Sequence, residues 1–325
     1  MEEGILWRRI LSAVFYGVTS IVVVFVNKIL LTNFRFPSFL FVGFGQMVAT
    51  VAVLFVARTL RIVSFPAFDS TIPRKIMPLP LLFVLNLVSG LGGTKLINLP
   101  MFTVLRRFSI LMTMVLEYVI LGVKASRAVK ISVCLMIVGS IIAALFDLTF
   151  DLWGYTLIGL NDICTAGLGV YTKQKLEAKE LGKYGLMFYN SLFMLIPTFA
   201  LVCYTGDTDK ALTFMVSDEM TPSVWMCFIV SCLCGFVLNY SLVLCTHFNS
   251  ALTTTCVGPI KNLFVTYAGM FSSGDYVFQW TNFIGINVSV MGSMLYTYVT
   301  FRAKSKLPWN RQRALWLWMI HYFTG

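Results

Sequence analysis

The sequence predicts an all-α membrane protein of ten transmembrane helices, arranged as a 5+5 inverted repeat with both termini cytosolic. Three observations carry this expectation. The chain is 58% hydrophobic and only 12% charged, with a mean hydropathy of +0.82, the composition of a polytopic membrane protein and not of a soluble domain. Apolar runs of spanning length occur ten times. The basic residues gather on alternate connections between those runs.

The runs lie at about 11–31, 39–57, 76–95, 99–122, 128–146, 152–172, 185–204, 223–246, 250–272 and 279–301. Pro78, Pro80, Gly90, Gly92 and Gly93 interrupt the third. All ten are too apolar around their circumference to be amphipathic surface helices. With no linker-like or low-complexity tract, residues 1–325 read as one membrane domain: a first five-helix repeat over about 11–146, a second over about 152–301, and a tail from 302. The first apolar run is too long for the h-region of a signal peptide and is expected to act as an uncleaved insertion signal. In the tail, Trp316 and Trp318 fit either an interfacial segment or an alternative terminus.

The formal charge of +11 is a topology signal. If the N-terminus is cytosolic, its side carries 18 of the 25 lysines and arginines, among them Arg8, Arg58, Arg74, Lys124, Lys173 and Lys183. The opposite side holds Arg35, Lys95 and Lys210 and collects Asp147, Asp151, Asp207, Asp209, Asp218, Glu219 and Asp275. This asymmetry places both termini in the cytosol, and no nucleic-acid partner is needed to explain the charge. The eight cysteines all lie in apolar segments without a CxxC pair, so neither a disulfide framework nor a metal site is indicated.

Five helices per half force the second half to enter the membrane in the opposite sense to the first, the plan of many secondary transporters. The fourth helix of each half carries a deep cation, Arg106 with Arg107 in one and Lys261 in the other. Each follows a tight connection that opens on asparagine, Asn98-Leu-Pro and Asn249-Ser-Ala. Lys261 has a dozen or so uncharged residues on either side, with Gly258-Pro259 just before it. A cation so placed costs about 2.5–3.5 kcal/mol on insertion scales and by default marks a pathway or a binding site; the alternative is a lysine that snorkels to the interface.

Two deep cations with few acids nearby call for an anionic substrate. Arg106 and Lys261 suit a diphosphate, the arginine offering a bidentate fork. Tyr16, Asn27, Tyr189, Asn190, Ser191, Asn239, Thr253, Thr254, Asn262 and Tyr267 surround them in sequence and could read a base edge or sugar hydroxyls; any one alone is as well read as helix–helix glue. Three further embedded charges, Lys28, Glu117 and Asp162, are candidates for gating or structural roles. Glu117 would partner a cation or act near the cytosolic end, Asp162 would gate or bond a neighbouring helix, and Lys28 would snorkel at the luminal end. Enzyme signatures are missing: there is no GxxxxGK[ST], HExxH or GxSxG. No catalytic residue, metal or cofactor is expected.

Several segments together resemble the nucleotide-sugar transporters of the drug/metabolite transporter superfamily, in particular the animal carriers of UDP-N-acetylglucosamine, UDP-glucuronic acid and UDP-N-acetylgalactosamine. They are FYG…VNKILL (15–31), FPSFLFVGFGQM (36–47), LPMFTVLRRFSI (99–110), LNDICTAGLGVYTKQK (160–175), KELGKYGLMFYNS (179–191) and NSALTTTCVGPIKN (249–262). The resemblance spans about residues 8–301. It implies a Golgi or endoplasmic reticulum antiporter exchanging cytosolic nucleotide sugar for luminal nucleoside monophosphate. The nucleobase-contacting FYNN motif of the related GDP-mannose carriers is similar to Phe188-Tyr189-Asn190-Ser191, and their GALNK motif to Gly258-Pro259-Ile260-Lys261-Asn262. Their phosphate-binding lysine on the fourth helix falls on Arg106, and the tyrosine of the first helix on Tyr16. Ser191 in place of the second asparagine fits a base other than guanine.

The resulting expectation is a carrier of UDP-sugars and UMP working by alternating access in a lipid bilayer. Arg106 and Lys261 would hold the diphosphate; Tyr189, Asn190 and Ser191 would face uracil; Tyr16, Asn239 and Thr254 would lie nearer ribose or sugar. A homodimer is left open as the assembly. An organic-phosphate translocator of the same superfamily is the alternative within transport. A membrane-embedded transferase and a structural polytopic protein are the alternatives outside it.

Overall fold

Long apolar runs punctuated by capping residues set the element boundaries. The computed structural model describes residues 2–96, 105–144, 151–258 and 280–302, and among these every regular element is helical. In chain order they are α1 Glu2–Lys28, α2 Phe39–Thr59, α3 Ile72–Ile76, α4 Leu79–Leu96, α5 Phe108–Leu121, α6 Arg127–Ala144, α7 Leu152–Ala178, α8 Gly182–Tyr204, α9 Asp207–Val216, α10 Pro222–Phe248, α11 over 251–258 and α12 Trp280–Arg302. A π-helical turn, Ile29–Asn33, extends α1. The Ser38 hydroxyl caps α2 by accepting from the Phe41 amide at 3.0 Å, and the Asp151 carboxylate caps α7 through the Gly154 amide at 2.9 Å. Pro222 opens α10, and Gly122, in the left-handed region at φ +68°, closes α5.

Residues 5–33, α2, α8 and α10 are each long and apolar enough to cross a bilayer. Over their described lengths α4 and α5 are apolar but shorter. Large aliphatic and aromatic side chains such as Val18, Phe55, Val119, Ile131, Ile196 and Met226 stand exposed on the outside of the bundle, as lipid contact requires. The buried interior is rich in serine and threonine, including Thr50, Ser89, Thr113, Ser132, Ser140 and Ser241. Small polar side chains among the buried apolar ones are the pattern of close helix packing in lipid.

Two elements depart from the run-by-run expectation. Short helices occupy connections that read as loops, α3 before α4 and α9 before α10. The amphipathic α9 starts at Gly206, at φ +70°, and carries Asp207 and Asp209 in its first turn, where the helix dipole favours acids.

The packing pairs fall into an ordered set. α6 lies along α12, α4 along α7, α1 along α10, and α2 against both α8 and α10, with α4 also meeting α8. α3 rests on α8, and α9 on α2. Exchanging α1–α6 with α7–α12 in order turns each of these eight pairs into itself or another of them; α5 along α7, α10 against α7 and α8, and α9 against α8 are contacts outside this relation. At the α6–α12 contact, glycine lets backbones touch: a Cβ on Gly139 would lie 2.7 Å from the Gly285 carbonyl oxygen, and one on Gly292 would lie 2.7 Å from the Met136 amide nitrogen.

The helix ends gather into two poles. At one, the loop after α2 folds onto the start of α8, with Phe65, Ile72, Ile76, Phe188 and Tyr189 buried together near Arg58. At the other, Leu30, Phe36, Val42, Ala211, Met220 and Val224 form a second cluster, and the Ser38 hydroxyl donates to Asp207 at 3.0 Å. The first is here termed the basic end, the second the acidic end.

Candidate substrate site

Arg106 and Arg107 do not sit inside a continuous helix. They occupy a turn directly before α5, whose first bonds run from the Ser109 and Ile110 amides to the carbonyls of Arg106 and Arg107. Arg106 and Arg107 therefore stand at the start of α5, the positive end of its dipole. The 14 residues of α5 place this turn about 21 Å from the helix's basic end at 1.5 Å per residue. Arg106 acts electrostatically on Asp162 of α7, the embedded acid of the second half. Asp162 is 2% exposed, and its Oδ1 accepts no hydrogen bond. Arg107 reaches across to the buried Ser289 hydroxyl on α12. One arginine thus braces the α12 contact while the other shares its field with a carboxylate.

A second polar layer lies nearer the basic end. The Asn239 amide of α10 donates to the Ser191 hydroxyl of α8 at 3.3 Å, and the neighbouring Asn190 keeps a buried Oδ1 with no hydrogen-bond donor. Asn190 lies eight residues into α8, about 12 Å from its start. Tyr16 lies on α1, which packs along α10.

Other expected residues have structural engagements. Tyr189 is 1% exposed; its hydroxyl donates to the Pro66 carbonyl at 2.7 Å and its ring packs edge-on against Phe65 and Phe188. Thr254 is bonded to Thr246 at 3.1 Å and lies 3.5 Å from the Cys245 sulfur, beside the α10–α11 turn. Lys28 is exposed at the end of α1, as snorkelling requires. Glu117 is engaged by backbone: its Oε1 accepts from the Leu252 amide at 2.8 Å. Lys261, Asn262 and Tyr267 lie outside the described residues.

The Triose-phosphate Transporter family description matches residues 9–297, almost the entire chain. The chain belongs to this family. Within the family it is a member of the nucleotide-sugar transporters: it is 75% identical over 300 residues to the UDP-sugar transporter sqv-7 of Caenorhabditis elegans, spanning 92% of this chain and 91% of that one. It is 52% identical over 304 residues to the UDP-sugar transporter UST74c of Drosophila melanogaster, covering 93% and 81%, and 49% identical over 299 residues to the human nucleotide sugar transporter SLC35D2, covering 92% and 88%. A solved crystal structure, 13% identical, shares the fold with a TM-score of 0.58 over 90% of this chain and 99% of the other.

Three features of this nucleotide-sugar transporter family member were not read from its sequence. Asn27, Gln46 and Ser231 join α1, α2 and α10, with Ser231 donating to the Asn27 Oδ1 at 2.7 Å and Gln46 at 3.3 Å. Asn86 of α4 and Asn161 of α7 exchange side-chain-to-backbone bonds at 3.0 and 2.6 Å. Lys173 donates to the His247 carbonyl at 3.1 Å. Glycines opposite these amides were the available signal: a Cβ on Gly90 would come within 2.9 Å of Asn161, and Gly235 faces Gln46.

Proposed function

We propose that this protein is an antiporter that brings UDP-sugars of the UDP-N-acetylglucosamine, UDP-glucuronic acid and UDP-N-acetylgalactosamine class into the lumen of the Golgi or endoplasmic reticulum in exchange for UMP. The basic end is the cytosolic one, ten helices form two inverted halves, and both termini are cytosolic. The exchange relation among the packing pairs supports the inverted halves. The likeness to the UDP-sugar transporters of the nematode and the fly supports the substrate class.

The observation that carries the reading is the arginine pair at the broken start of α5. Its amides and guanidinium groups supply positive charge deep in the membrane, and Asp162 offsets only part of it. Arg106, with Lys261 from the second half, holds the diphosphate. Asn190, Ser191 and Asn239 read uracil in the layer closer to the basic end, and Tyr189 supports them through its bond to Pro66. Tyr16, Thr254, Asn262 and Tyr267 border ribose and sugar. An empty cationic site reorients slowly without an anion to neutralise it, which makes the cycle an exchange.

The test is uptake of labelled UDP-N-acetylglucosamine into proteoliposomes preloaded with UMP. Uptake above that of unloaded vesicles, competed by UMP and not by a triose phosphate, is expected. A folded, reconstituted protein showing no counterflow would refute the antiport. The family description gives one specific reason for a second reading, an organic-phosphate translocator; competition by sugar phosphates that lack a base would favour it.

A further inference from the structure

The turn between α10 and α11 is gripped from three sides. From α5, the Glu117 carboxylate, 4% exposed, accepts from the Leu252 amide at 2.8 Å. The Ser250 oxygen accepts from the Thr253 amide at 3.1 Å, so Ser250 caps α11. From α7, the Lys173 ammonium donates to the His247 carbonyl in the last turn of α10. From α1, the Arg9 carbonyl and the Ser12 hydroxyl each accept from the Asn249 side chain at 3.1 Å. An anion thus meets the positive end of one helix and a cation the negative end of the other, the pairing helix dipoles favour. Four groups inside the turn are buried: Cys245 at 0%, Cys256 at 1%, Leu252 at 4%, and Thr253, which bonds the Tyr296 hydroxyl at 3.1 Å.

We propose that Glu117, Lys173 and Asn249 form a clamp that closes the basic end of the carrier, and that its release is the step that exposes the substrate layer on that side. Glu117 is a positioning residue. It touches no substrate; it fixes the start of α11, and Lys261 follows ten positions on in the sequence. This rests on the transport reading, because only a carrier needs the turn to part. The contacts are suited to breaking as a set. Each goes to a helix end or its flanking turn, and a carboxylate withdrawn from α11 can be rehydrated as the end opens. Glu117→Gln removes the negative charge at the start of α11 and can turn an amide N–H₂ toward the Leu252 N–H.

The native thiols supply the readout. Full-length protein in sealed vesicles, basic end outward, is treated with a membrane-impermeant maleimide, and modification of Cys245, Cys256 and Cys203 is followed by peptide mass spectrometry. Cys203, exposed at the acidic end of α8 and so facing the vesicle interior, is the control, labelled in a parallel sample opened with detergent. Glu117→Gln is expected to speed modification of Cys245 and Cys256 about tenfold with Cys203 unchanged, and to change the exchange rate while the UMP concentration giving half the melting shift stays within twofold. Unchanged Cys245 and Cys256 would overturn the clamp, and so would an equal rise at Cys203, which would mean general loosening. Should Glu117→Gln fail to fold, Asn249→Ala and Lys173→Met take its place, and both must raise labelling. A wild-type protein that labels slowly but gives no melting shift with UMP would instead count against the nucleotide reading.

Discussion

Alanine at Gly292 is the most direct test of the α6–α12 packing. The new methyl would lie 2.7 Å from the Met136 amide nitrogen, 2.9 Å from Met136 Cγ and 2.9 Å from the Ser132 carbonyl oxygen. Ordinary contact begins at 3.4 Å, so the shortfall is about 0.7 Å, and two of the three atoms are backbone that cannot rotate away. Overpacking of this kind costs about 1–3 kcal/mol. The same substitution gains up to about 1 kcal/mol from helix propensity, so the net loss is roughly 0–2 kcal/mol. Gly43 is the internal control: it is also helical, and its added methyl would meet nothing within 4 Å. Gly43→Ala should therefore be neutral or stabilising, and the two variants should differ by about 1–3 kcal/mol, a roughly 5- to 150-fold difference in unfolding equilibrium. Unfolding in mixed detergent micelles, titrated with SDS and followed by far-UV circular dichroism, separates them. Coincident midpoints for the two alanines would show that α6 and α12 do not touch backbone to backbone.

Three further outcomes follow from named contacts. Arg106→Ala should raise the UMP dissociation constant by roughly 10- to 150-fold and also destabilise the protein, because Asp162 is left buried without its cation; adding Asp162→Asn should restore the melting temperature and not the affinity, and a double variant as unstable as the single would sink the pairing. Tyr189→Phe removes the bond to Pro66 and should cost about 0.5–1.5 kcal/mol of stability with UMP affinity within about twofold, whereas Asn190→Ala should weaken UMP binding with little loss of stability, as titration calorimetry would report. Ser38→Ala deletes both the α2 cap and the bond to Asp207 and should lower stability by about 0.5–2 kcal/mol; a melting temperature equal to wild type would show that neither bond matters in solution.

The helices were legible where apolarity and length coincide. α2 over Phe39–Thr59 matches the run at 39–57, and α8 over Gly182–Tyr204 matches that at 185–204. They were illegible where a helix outruns its apolar stretch. α7 continues to Ala178 past Lys173 and Lys175, since backbone hydrogen bonding does not stop at the membrane surface where hydropathy does. The depth of Arg106 and Asp162 could be read from the runs, but their pairing could not, because periodicity orders residues along a helix and carries no information between helices 56 positions apart. Glu117 and Leu252, 135 positions apart, are the sharper case. One partner there is a backbone amide, which leaves no trace in side-chain identity. The FYN segment showed a similarity of motif, while the bond from Tyr189 to Pro66 depends on a loop fold that the motif does not contain.

The exchange relation among the packing pairs has an energetic corollary. If either half of a chain can take the arrangement of the other, each closed form has a counterpart of opposite sense built from the same contacts. The free-energy gap between the two is then set only by residues that break the likeness. At the basic end these are Arg58, Phe65 and Tyr189 over the Pro66 carbonyl, together with Glu117 and Lys173 on the α10–α11 turn. At the acidic end they are Phe36 packed between Phe214 and Phe228, with Ser38 held by Asp207. The resting bias of the carrier is thus a difference between two small sets of contacts, and one substitution in either set shifts it without touching a residue that meets the substrate.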